Sequence, residues 1–312
     1  MPRESNFFYI TTLVFLNVIW GGTYVASKIA MADFMPITLA FVRFALASII
    51  MIPFLLAKYR HIRLTRNDFF TCTILGALGF TFAYIFQNIG VKMTKTMNAA
   101  IEISSEPVMM LILAAMFLKE KITARIIAGI FLSTLGVLII ILPGSAGGPD
   151  QASAGAYSAA GDVLVLLSAL CCALYTIIGN QAIKRLPSFV VTAYAVITGT
   201  ILLFPFAAWY ENGLGAIATA SLKSWFCVFY LSALATSFAY FVWYLLLERL
   251  DASYMGNFLN LQPLVGILLG YFLLSEPAGG ATFIGAAFII GGVYITSFGT
   301  GKIEEKAVIE PA

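Results

Sequence analysis

Apolar runs about as long as a bilayer is thick recur along almost the whole chain, and they leave few options for its fold. A transmembrane helix needs about 20 consecutive apolar residues. On that ruler the 312-residue sequence holds ten candidate spans: 7–30, 36–57, 69–91, 96–118, 124–142, 161–183, 188–210, 224–247, 253–274 and 279–299. Only 11% of residues are charged, against about 25% in a soluble domain. The chain is read as an all-α polytopic membrane protein.

Charge placement sets the expected orientation. If the N-terminus is cytoplasmic, the inner segments hold Arg3, Lys58, Arg60, Arg63, Arg66, Lys119, Lys121, Arg125, Lys184, Arg185, Arg249, Lys302 and Lys306. The outer segments hold only Lys28, Lys92, Lys95 and Lys223, so the positive-inside rule puts both termini in the cytoplasm. The Gly/Ala/Ser-rich stretch 143–160 then reads as an external linker, and 300–312 as a cytoplasmic tail. No cleaved leader is expected, because the run after Met1–Asn6 is long enough to be a first span. The basic residues sit in short loops, so their surplus does not point to nucleic acid. Cys72, Cys171, Cys172 and Cys227 fall inside apolar runs and read as small core residues. The only histidine, His61, lies in a charged loop.

The chain also repeats itself. A shift of 156 lays the third to fifth spans on the eighth to tenth without a gap. Phe82-Ala83-Tyr84 meets Phe238-Ala239-Tyr240, Pro107 meets Pro263, Glu120 meets Glu276, Gly129 meets Gly285, and Gly136-Val137 meets Gly292-Val293. The same shift pairs Lys28 with Lys184, and two gaps around the second span let Pro53-Phe54 meet Pro205-Phe206. The expected units are a first five-helix repeat over 1–142 and a second over 161–299. An odd number of spans per unit turns the second copy upside down, the inverted-repeat plan typical of secondary transporters.

Residues Trp20-Gly21-Gly22-Thr23-Tyr24-Val25-Ala26-Ser27-Lys28, Glu106-Pro107-Val108 and Phe117-Leu118-Lys119-Glu120, with their second-half counterparts, resemble the EamA-type branch of the drug/metabolite transporter superfamily. The resemblance runs from residue 7 to 299, once per half. It implies ten helices and a carrier of metabolites, often an exporter of amino acids or related compounds.

One stretch carries most of the chemistry. Asn98, Glu102 and Glu106 recur every four residues on one helical face, and Pro107 follows at once. A carboxylate at the centre of a membrane helix costs about 2.5–3.5 kcal/mol on insertion scales, taking Glu as similar to Asp. An intramembrane acid is therefore a functional candidate. Glu106 lies about ten residues into its span, ~15 Å deep and near the midplane. Pro107 removes a backbone donor and is expected to kink the helix, as is Pro263 in the other half. A structural ion pair or hydrogen-bonded acid is the competing role, strongest for Glu106. In the second copy the acid positions are Tyr254, Phe258 and Gln262. If both stripes face one cavity, it suits a cationic or zwitterionic organic molecule with some apolar surface.

Arg43 lies within the second span, at a depth similar to Glu102, and cannot lose its charge. It is expected to pair with Glu102 or to bind a substrate carboxylate. Trp20, Tyr84 and Trp243 are further lining candidates. Tyr24, Gln87, Asn88, Tyr175, Asn180, Tyr240, Tyr244, Asn257 and Asn260 either line the cavity or bond helices together. Gly129, Gly136, Gly285, Gly291 and Gly292 fit close helix packing, which can also serve a homodimer.

No nucleotide loop, HExxH, GxSxG or metal-spaced acid cluster occurs, so no cofactor or metal is expected. The leading expectation is a carrier of the cell (inner) membrane that moves a small-molecule substrate by alternating access. Proton coupling and uncoupled exchange are equally compatible. A membrane enzyme using the two acids on a lipid-borne substrate lacks an acid–base pair near a membrane surface, and a channel lacks a pore-lining charge ring.

Overall fold

The computed structural model describes residues 3–93, 105–141, 159–274 and 279–299. Asn98, Glu102, Glu276, residues 143–158 of the expected 143–160 linker and the tail 300–312 lie outside them. Every described secondary-structure element is helical, as lipid demands of a chain that must satisfy its own backbone. Among the described residues, eight helical segments are long and apolar enough to cross a membrane, which makes the chain a multi-pass membrane protein. The fourth and fifth expected spans appear among the described residues as shorter apolar helices, Glu106–Leu118 and Ala124–Ile140.

In the first repeat, α1 is Arg3–Ala30 and α2 is Pro36–Tyr59. The third span is α3 (Arg66–Gly76), a π-helical turn (Ala77–Phe82) and α4 (Ala83–Met93). The expected fourth span contains α5 (Glu106–Leu113) and the π-helical Ala114–Leu118, and the expected fifth contains α6 (Ala124–Ile141). In the second repeat, α7 is Ala159–Ala182, α8 is Ser188–Pro205 and α9 is the short Ala216–Thr219. The eighth span is α10 (Leu222–Ser232), a π-helical turn (Ala233–Phe238) and α11 (Ala239–Leu247). The ninth is α12 (Ala252–Phe258) with α13 (Leu261–Leu274), and the tenth is α14 (Gly280–Gly299).

The sequence repeat reappears in three dimensions residue by residue. Thr65 N-caps α3 with Asp68 in a capping box, and Ser221, 156 residues on, N-caps α10. Of four π-helical turns among the described residues, Ala77–Phe82 and Ala233–Phe238 are also 156 apart. A π turn leaves a backbone carbonyl without its usual partner, and a hydroxyl takes it in both copies. Thr81 donates to Gly76 O (3.3 Å) and to Gly199 O of α8 (3.0 Å). Its counterpart Ser237 donates to Ser232 O (3.0 Å) and to Ala47 O of α2 (3.5 Å).

Contacts between equivalent helices give the direction of the two halves. In the α2–α8 pair, Phe41 meets Phe204, Ser48 meets Thr200 at 3.2 Å, and Phe54 meets Phe189. Residue numbers rise along one helix as they fall along the other, so the equivalent helices are antiparallel and the repeats are inverted. Ser48 and Thr200 are each other's counterparts, which places the pseudo-two-fold axis between them. Gly129–Gly292 and Gly136–Gly285 bring α6 and α14 together in the same antiparallel sense.

Carboxylates cap helices across the repeats. Glu211 accepts from the amides of Ile37 and Thr38 and from the Thr38 hydroxyl, closing the start of α2. Lys119 adopts a left-handed φ of 56°, which ends the fourth span, and Glu120 caps α12 through Ala252 N and Ser253 N. The Ser221 hydroxyl, with Ser224, holds the exposed Asp33 carboxyl below the usual carboxylate range. In the other half, the partly exposed Arg185 reaches the buried Asp68 carboxylate at 3.8 Å.

Candidate functional site

Between the repeats lies a cavity of about 320 Å³, the size range of a small-ligand pocket. It reaches the α1–α2 junction at Met31 and Pro36 and runs inward past the π turns. Six aromatic residues, Trp20, Tyr24, Tyr84, Tyr175, Tyr240 and Trp243, form part of its wall. Trp20 packs edge-on against Tyr240 and Trp243, each at 5.4 Å between ring centres. Tyr240 in turn meets Phe80 at 4.9 Å and Tyr175 at 5.8 Å. The Trp20 indole N–H donates to Ala235 O at 3.0 Å, in the eighth span's π turn, fixing the ring that spans the halves.

Two charged residues enter this wall. Arg43 projects from α2, is only 5% exposed, and donates through Nε to Thr236 Oγ1 at 2.7 Å. Its guanidinium carbon lies 5.6 Å from the centre of the Tyr84 ring. No other described residue takes a hydrogen bond from it, and no described carboxylate is ion-paired with it. Glu106 enters from the first residue of α5. Gln262, at the equivalent place in α13, also lines the cavity and donates to Asn17 Oδ1 at 3.2 Å.

The expected kinks take a particular form. Pro107 and Pro263 both sit in the first turn of a helix, where a missing N–H costs no intrahelical bond. In the ninth span a two-residue turn interrupts the α-helix: α12 ends at Phe258 and α13 begins at Leu261, with Leu259 of the turn lining the cavity. Discontinuous helices at mid-depth are where carriers of this plan hold their substrates.

The cavity brings together Trp20, Arg43, Tyr84, Glu106, Trp243 and Gln262 of the sequence-derived candidates. It leaves out Tyr254 and Phe258. These two face the packed core rather than the cavity, 5% and 0% exposed, with their rings in contact at 5.5 Å. The aromatic half of the site is supplied instead by α1, α7 and the eighth span. Tyr24, Gln87, Asn88, Tyr175 and Tyr240 also line it.

Asn257 and Asn260 belong to a buried polar network. Asn257 donates to Gly292 O and Thr296 Oγ1, and accepts from Ser133, which also accepts from Asn260. The network ties the interrupted helix to α6 and α14. Thr23, Ser27, Ser168, Cys172 and Thr176 complete the polar lining, and sequence reading does not single them out. Small hydroxyl residues are common at ordinary helix–helix contacts.

The EamA-like transporter family pattern matches residues 7–142 and 159–298. An uncharacterized transporter of Archaeoglobus fulgidus is 30% identical over 91% of this chain and 96% of its own length. A probable amino-acid metabolite efflux pump of Salmonella typhimurium is 26% identical over 96% of both chains. A protein of the same name from Escherichia coli is 25% identical over 90% of this chain. A solved crystal structure superposes with a TM-score of 0.74 at 19% identity, covering 94% of this chain and 96% of the other, which speaks to the fold.

Proposed function

We propose that this chain, which belongs to the EamA-like transporter family, is a secondary carrier that moves zwitterionic amino acids or close relatives by alternating access. The observation that carries the reading is the meeting of Arg43 and Glu106 in one partly aromatic cavity between two inverted repeats. The guanidinium donors not used by Thr236 suit a carboxylate, in the paired geometry that arginine favours. Glu106 suits an ammonium group, and the rings of Trp20, Tyr240 and Trp243 suit an apolar or aromatic side chain. The efflux-pump names of two relatives support export as the direction. In this reading all ten apolar segments cross the cell (inner) membrane, with both termini in the cytoplasm and the linker outside.

Thermal shift of the purified protein against the twenty L-amino acids tests this. At a hundred times Kd a ligand adds about 2.7 kcal/mol to the folded state, which raises Tm by several degrees. At least one amino acid is expected to do so, while its decarboxylated and deaminated analogues fall well short. No response to any amino acid, or equal responses to the single-charge analogues, overturns the reading.

A further inference from the structure

The repeats are equivalent, but the cavity is not. Trp20 corresponds to Thr176 and Tyr84 to Tyr240; Gln87 corresponds to Trp243 and Glu106 to Gln262. All four pairs line the cavity with both members present. Arg43, like most of the other lining residues, has no lining counterpart. The Pro53–Pro205 alignment puts Ala195 opposite it, and Ala195 is fully buried outside the lining, packed close to Gly76. Asn88 behaves alike: it lines the cavity, whereas its counterpart Tyr244 is fully buried and donates to Tyr175 O at 3.0 Å. The half that opens to the α1–α2 junction is thus loosened relative to its equivalent. The bond from Ser237 to α2 is 3.5 Å, and the matching bond from Thr81 to α8 is 3.0 Å.

In a carrier built of two inverted copies, the opposite access state arises when each copy takes the shape of the other. Residues whose counterparts already line the cavity stay in it. Residues whose counterparts are buried are withdrawn, and the counterparts emerge. We infer that Arg43 meets the substrate only in the state open to the α1–α2 junction, and that Ala195 takes its place in the state open to the other face. The cargo's carboxylate is then clamped by a guanidinium on one side of the membrane and unclamped on the other, while Glu106 serves both states. This inference rests on the alternating-access reading above.

Cysteine accessibility tests it without any substrate. Cys72, Cys171, Cys172 and Cys227 are replaced by alanine or serine, and Arg43→Cys, Ala195→Cys or Tyr240→Cys is added singly. Oriented vesicles then meet a membrane-impermeant methanethiosulfonate from either face. Position 43 should react only from the α1–α2 face, position 195 only from the other, and position 240 from both. Reaction of 43 from both faces, of 43 and 195 from the same face, or none at 195 overturns the inference. In transport, Arg43→Ala should raise the half-saturating concentration of L-phenylalanine at least tenfold from the α1–α2 face and less than twofold from the other. Equal changes on both faces also overturn it. Failure of the wild type to carry L-phenylalanine bears instead on the proposed cargo, because the labelling pattern does not depend on it.

Discussion

Glu106→Gln is expected to weaken binding of the cognate amino acid by about thirty- to a hundredfold while leaving its deaminated analogue within threefold of wild type. Removing one partner of a desolvated charge pair costs about 2–5 kcal/mol, and each 1.4 kcal/mol is tenfold in affinity. The lower end applies, because the cavity is partly open to solvent. The substitution keeps shape and hydrogen-bonding capacity. The fold already accepts glutamine there: Gln262 occupies the equivalent first turn and lines the same cavity. A loss of affinity therefore reads as lost charge rather than lost structure. Titration calorimetry on the detergent-purified variant measures it, and unchanged affinity for the amino acid removes Glu106 as the ammonium ligand.

The second large effect concerns the scaffold. Gly292→Leu should lower stability by ~3 kcal/mol or more, the upper end of overpacking, and Tm by ~5 °C. A Cβ at Gly292 would come within 2.6 Å of the Ser133 amide nitrogen and press on Gly129 O, so α6 and α14 would have to separate. Ser133 is also the hub of the network that anchors the turn in the ninth span. Gly291→Leu is the control. Its Cβ would meet only the end of Leu132, at 3.6 Å, an ordinary contact. Comparable loss of folded protein from both substitutions on size-exclusion chromatography would contradict the packing account.

Much of this architecture is legible in the sequence, because lipid leaves few alternatives. Long apolar runs become helices, and a repeat with matched prolines and glycines becomes two copies of one unit. The cavity is legible in part. Arg43 and Glu106 stand out as charges inside apolar runs, and physical cost marks them. The placement of Tyr254 and Phe258 is not legible. Periodicity puts them on the stripe of Gln262, but the turn at Leu259–Asn260 separates the two helices and makes that stripe core. The π turns are equally hidden, since nothing in Ala77–Phe82 or Ala233–Phe238 announces an extra residue per turn. They matter because they lie beside Tyr84 and Tyr240, at the centre of the wall.

Counterflow in proteoliposomes addresses the central claim most directly. Vesicles oriented with the α1–α2 face inward are loaded with the best-binding unlabelled L-amino acid, or with its decarboxylated or deaminated analogue, and take up trace labelled amino acid from outside. A carrier whose cavity holds both charges of a zwitterion should show uptake strongly accelerated by the internal amino acid and little affected by either analogue. Uptake indifferent to the internal solute, or driven equally by molecules lacking one charge, would contradict it.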